Sequence, residues 1–161
     1  MLIRQAKLSE REELFREAYK EWSKNRTFEQ YKADNSKEDE FGVRYVIEED
    51  GKIVSSLIML NLKELFGYKV YGFGSVLTPL EFAGKGYATS LLNDCMGKID
   101  RENSIIFLYS EINPVFYERL GFKILPSYLQ KDKKAVCMAL CKDIIWLKLQ
   151  NTSINRIPDY F

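Results

Sequence analysis

The chain has 161 residues, 46% of them hydrophobic and 29% charged, with a formal net charge of +1. Such numbers suit one globular domain with a real core and exclude a disordered chain; near-neutrality leaves no general field toward nucleic acid or a membrane surface. Histidine is absent, which removes the usual serine and cysteine triads and most general bases active at neutral pH.

Residues 2–6 read as a short first strand. Ser9, with Glu12 three positions on, reads as a capping box opening a helix to about Lys24. Its apolar face is Leu14, Phe15, Ala18, Tyr19 and Trp22. Thr27 caps a second, short helix through Phe28 and Tyr31. The polar stretch 35–40, with Glu38, Asp39 and Glu40 clustered, reads as a loop. Two β-rich runs, 43–47 and 53–60, flank Asp50-Gly51, a strong hairpin signal. The second run contains Ser55 and Ser56 and is far shorter than the roughly 18 apolar residues of a membrane span. Met1-Leu2-Ile3-Arg4 lacks the apolar core of a signal peptide.

The run 70–77 is a β-rich strand interrupted by Gly72 and Gly74. Phe82-Ala83-Gly84-Lys85-Gly86-Tyr87-Ala88 follows, and then Leu91, Leu92, Cys95, Met96 and Ile99 continue an apolar stripe at helical spacing. Strand, glycine turn and buried helix together make an anion site. The helix start aims its unpaired N–H groups and the positive end of its dipole into the turn. The Gly-Lys-Ser/Thr loop of nucleotide triphosphatases is excluded, because Pro79 stands at its first glycine and Gly86 at its hydroxyl residue. The dinucleotide fingerprint also fails, with Thr89 and Leu77 where the third glycine belongs.

After this helix, 104–109 reads as a buried strand. Asn113-Pro114 opens a short helix, with Phe116 and Leu120 on its inner face and Tyr117 turned about 100° away toward the strand cleft. Gly121 ends the helix, 122–125 begins a strand, and 135–140 is the last strand. In the tail from Asp143, residues 144–149 fit a helix or an extra strand. Three cysteines, an odd number, favour reduced thiols and a cytoplasmic location. Cys137 and Cys141 without a histidine do not suggest zinc, and no metal site is expected. The expected class is α/β: one mixed, mostly antiparallel sheet flanked by helices in a single domain over 1–161.

The turn matches R/Q-x-x-G-x-G/A, with Glu81 in place of the basic or amide residue. Phe116-Tyr117-Glu118-Arg119-Leu120-Gly121-Phe122 matches F-Y-E-K-L-G-F one helix and one strand later. With both motifs the chain resembles the GNAT superfamily of acyl-CoA-dependent N-acetyltransferases. That resemblance implies acetyl-CoA as cofactor and transfer of an acetyl or small acyl group to a primary amine by direct attack in a ternary complex. Backbone groups of Ser75, Val76, Leu77 and Thr78 would then pair with pantetheine, and an amide near Val76 would stabilise the oxyanion. The amides of Ala83, Gly84, Lys85, Gly86, Tyr87 and Ala88 would hold the pyrophosphate.

Tyr117 is implied as general acid toward the departing thiolate. Ser110 stands where the family often carries Asn, with Glu111 and Asn113 as neighbours to replace it on the pantetheine arm. Glu111 is the first candidate for the base, and the alternative is a solvated loop carboxylate. The 38–40 cluster would border the acceptor site, and the tail ending Pro158-Asp159-Tyr160-Phe161 would fold over it, aromatic side chains inward. The acceptor is a small-molecule or peptide amine; neither nucleic acid nor a membrane is an expected partner, and a homodimer stays open. A non-catalytic CoA-binding module of the same fold is the competing reading.

Overall fold

The computed structural model describes all of residues 1–161. Seven strands form one mixed sheet, flanked by helices, in the order β1-β2-β3-β4-β5-β7-β6. They are β1 Leu2–Gln5, β2 Gly42–Glu49, β3 Lys52–Leu65, β4 Tyr68–Leu77, β5 Ser104–Ser110, β6 Lys123–Ile124 and β7 Val136–Leu140. The helices are α1 Arg11–Trp22, α2 Phe28–Ser36, α3 Tyr87–Gly97, α4 Val115–Glu118 and α5 Asp143–Gln150. No helix is long and apolar enough to cross a membrane. The chain divides into two compact units, Met1–Leu60 with Ser75–Cys95, and Asn61–Gly74 with Met96–Phe161.

In the first unit β1 and β2 pair antiparallel from Leu2↔Glu48 to Gln5↔Tyr45. β2 pairs antiparallel with β3, the register shifting at Ile47/Glu48. Asp50 and Gly51 both take positive φ, 50° and 74°, the geometry of a two-residue hairpin turn. On α1, Leu14, Phe15 and Ala18 are buried, and Phe15 and Ala18 pack with Tyr31 of α2. Thr27 caps α2 as expected: its hydroxyl accepts the Gln30 amide at 3.2 Å, while the Gln30 side chain accepts the Thr27 amide at 2.9 Å.

Two expectations change here. The reaching carboxylate at the first helix belongs to Glu10, which accepts the Lys7 amide at 2.7 Å, and not to Glu12. Arg4 holds Glu10 there, at 2.7 Å from both Glu10 and Glu48, and the resulting charged hydrogen bonds depress the Glu10 carboxyl to about 2. The stretch 35–40 is ordered: Asn35 and Ser36 finish α2, and Lys37–Glu40 form a 3-10 turn. Asp39 anchors that turn through Arg11 at 2.6 Å and Arg44 at 2.8 Å.

In the second unit β4 pairs parallel with β5 from Lys69↔Ser104 to Phe73↔Leu108, so Gly74, Ser75, Val76 and Leu77 lie beyond the last rung. β5 pairs antiparallel with β7, and β7 with β6. β6 is only two residues of the expected 122–125. The tail run 144–149 is helix, and α5 buries Ile145 and Leu149 in a core with Val70, Ile105, Phe107 and Cys137. Its periodicity decides this: the residues four apart bury, while Ile144 and Leu147 face water. No cysteine forms a disulfide, and Cys95 and Cys137 are buried; burial pushes Cys137 up to about 12 and Cys141 to about 11.

Candidate active site

The glycine turn lies in the first unit. Gly84 and Gly86 take φ of +78° and +81°, a region that β-branched and bulky side chains essentially avoid. A Cβ at either would meet nothing within 4 Å, so the loop presents bare backbone to open space. Ala83, Gly84, Lys85 and Gly86 are exposed. The first rung of α3 is Ser90 N–H to the Gly86 carbonyl at 3.0 Å, and the amides ahead of it form the free, positive end of the helix. Tyr87 donates its hydroxyl to Glu49, which raises the phenol above its ordinary range. Its side chain is thereby tied to the end of β2, and its amide belongs to the turn.

Upstream, Ser75 takes φ +48° inside β4, a conformation that costs a non-glycine residue about 1–2 kcal/mol. The strand is bent there, two residues past the last rung to β5. Ser55, fully buried, holds the far end: its hydroxyl donates to the Leu77 carbonyl at 3.2 Å and shares a 2.9 Å hydrogen bond with the Thr78 hydroxyl. Neither feature was foreseen, although a serine pair within the apolar run 53–60 was a signal for the second. A groove of about 680 Å³ runs from this end of β4 along α1, lined by Leu77, Pro79 and Glu81 and by Glu13, Glu17 and Lys52.

The second motif lies in the second unit. Here the expected facing of α4 is corrected. Tyr117 is the buried residue, 7% exposed, whereas Phe116 and Leu120 are half-buried. A helix of four residues has one turn only, so contacts with its neighbours override the 100° periodicity. Tyr117 packs edge-on to Phe116 at 5.0 Å and to Phe122 at 6.2 Å, and burial pushes its hydroxyl up to about 12. It therefore keeps its proton at neutral pH. Asn113 uses its side-chain oxygen to accept the Val115 amide at 3.1 Å. Ser110 donates to the Ile112 carbonyl at 2.8 Å. Glu111 is exposed and accepts from the Tyr160 hydroxyl at 2.5 Å. Of the acidic cluster, Asp39 is bound to its two arginines, while Glu38 keeps one buried oxygen without a partner and is raised by burial. No group of three or more acidic, cysteine or histidine side chains is arranged to hold a metal ion.

The pattern of the Acetyltransferase (GNAT) domain matches residues 2–125. The chain belongs to the GNAT acetyltransferase family. No curated protein matches it in sequence. Among solved structures, the fold is similar to that of the histone acetyltransferase HPA2 and related acetyltransferase from Corynebacterium glutamicum. That likeness has 17% identity and a TM-score of 0.67 over 86% of this chain and 94% of the other. A predicted acetyltransferase with acetyl-CoA from Clostridium acetobutylicum gives 14% identity and a TM-score of 0.64, covering 81% and 95%. A conserved protein from Enterococcus faecalis gives 16% and 0.67, but this chain, 77% covered, spans only 32% of that longer one. Acetyltransferases of the GNAT family use acetyl-CoA as donor. The bare, outward-facing backbone of the turn fits a diphosphate, since two left-handed glycines leave it unobstructed.

Proposed function

We propose that the protein transfers an acetyl or small acyl group from CoA to a primary amine by direct attack in a ternary complex. The observation that carries the reading is the open turn at Gly84 and Gly86, leading directly into the unpaired amides of α3. In this reading the amides of residues 83–88 hold the diphosphate and Lys85 adds charge beside them. Backbone groups of residues 75–78 receive the pantetheine arm in the manner of an added strand, with Asn113 as a side-chain contact, and an amide near Val76 is the donor to the thioester carbonyl.

Bound acetyl-CoA supplies the activated acyl group as a thioester. Glu111 takes one proton from the ammonium form of the acceptor, freeing the lone pair that forms the new N–C bond. Tyr117 would give its proton to the departing thiolate and recover the one the nitrogen sheds. Three cysteines without a disulfide fit a reducing, cytoplasmic setting.

The test is thiol release from acetyl-CoA with a panel of polyamines, amino acids, aminoglycosides and lysine peptides, alongside calorimetric CoA binding. Amine-dependent release supports the proposal. CoA binding without release toward any amine overturns it in favour of a non-catalytic CoA module.

A further inference from the structure

The end of the second unit is tied down at five consecutive positions. Ile157 is 2% exposed, and its carbonyl accepts from Lys131 Nζ at 2.6 Å. The Pro158 carbonyl accepts from the Tyr109 hydroxyl at 2.5 Å, and Asp159 pairs with Lys131 at 2.8 Å. Tyr160 sets its ring edge-on to Tyr109 at 5.5 Å and donates its hydroxyl to Glu111 Oε1 at 2.5 Å. Phe161 also meets Tyr109 edge-on at 5.5 Å, and it fills the space over Gly72, where a Cβ would come within 2.7 Å of its ring.

Exposed terminal segments fray unless something holds them. This one has an apolar anchor at each end, Ile157 and Phe161, with hydrogen-bonded or ion-paired residues between them. Burial drives the Tyr109 hydroxyl far above the ordinary phenol range, so it stays a donor to Pro158 at any physiological pH.

What this anchoring delivers to the loop after β5 is one hydroxyl, on one oxygen of Glu111. A long carboxylate side chain on an exposed loop loses rotamer entropy whenever it is fixed. A phenol fixes it without cancelling its charge. A lysine or arginine in the same place would form an ion pair and compete with any cation approaching the carboxylate. We propose that Tyr160, carried on the anchored segment 157–161, is a positioning residue for Glu111, holding its carboxylate in one orientation toward the incoming ammonium. The inference rests on the reading of Glu111 as proton acceptor.

The test uses the full chain with Tyr160→Phe, Glu111→Gln and the double variant. Tyr160→Phe removes one oxygen and keeps the ring, so kcat should fall about fivefold. KM for acetyl-CoA and Tm should stay unchanged, and the loss should vanish in the Glu111→Gln background. A Tyr160→Phe enzyme of full activity beside an impaired Glu111→Gln overturns the positioning role and leaves the base intact. Full activity of Glu111→Gln overturns the base and this inference with it. A loss that persists in the double variant, or that comes with a lowered Tm, marks a purely structural tail and also overturns the inference. A crystal structure of Tyr160→Phe gives a readout independent of turnover: Glu111 should spread over several rotamers, and a single retained rotamer refutes the role.

Discussion

At Gly72 the space a side chain would occupy is taken by the ring of Phe161, whereas at Gly84 and Gly86 the same space is open. Both places carry a Gly-x-Gly pattern near β4, yet only the second has left-handed glycines. In one the missing Cβ admits another part of the chain, and in the other it is left for something from outside. Glycine alone does not separate these uses; what stands over it does.

The sharpest way to break this contrast is Gly86→Val. A β-branched residue at φ +81° must shift the turn, so kcat/KM for acetyl-CoA should fall at least about thirtyfold. CoA affinity by calorimetry should fall with it; unchanged affinity would remove the turn from cofactor binding. Next in size, Tyr117→Phe should lower kcat about tenfold or more with little change in KM for acetyl-CoA. An unaltered kcat takes Tyr117 out of the chemistry and leaves it an aromatic packing residue.

Gly72→Ala probes the filled side. The new methyl must displace the Phe161 ring, at a cost of about 1–3 kcal/mol in urea unfolding, while CoA affinity stays within twofold of the parent. A loss of CoA affinity equal to that of Gly86→Val would erase the distinction.

The smallest effect belongs to Glu38→Gln. Burial raises the Glu38 carboxyl, so the folded state is penalised once that group ionises, and stability falls as pH rises from the unfolded value of 4.5 through the raised one. The amide should therefore raise Tm slightly at pH 7 to 8 and leave it unchanged below pH 4. A Tm gain of equal size at both ends would point to a cause other than ionisation.

The strands and hairpin were legible because local chemistry and tertiary environment agree there: Asp50-Gly51 accepts positive φ, and alternating apolar runs pair on either side of it. The glycine turn and the Phe116 to Phe122 motif were legible for the same reason, their residue types being tied to backbone demands. Three features were not legible. Glu10 rather than Glu12 turns back to the chain because Arg4 donates to it while Glu48 holds Arg4's fork in place. Tyr117 is buried by Phe122, against the face its short helix suggested. Ser75 is bent into a left-handed conformation that no serine announces. The tail's aromatic side chains were expected inward over the acceptor site, whereas the Tyr160 bond to Glu111 spans 49 positions and leaves no periodic trace.

One consequence concerns the cysteines. Cys137 and Cys141, lifted to about 12 and 11, carry almost no thiolate at neutral pH, and Cys95 is fully enclosed. A chromogenic disulfide added to a reaction mixture should thus report coenzyme as it is liberated, with little background colour from the folded enzyme, and a burst of signal from protein alone would announce unfolding.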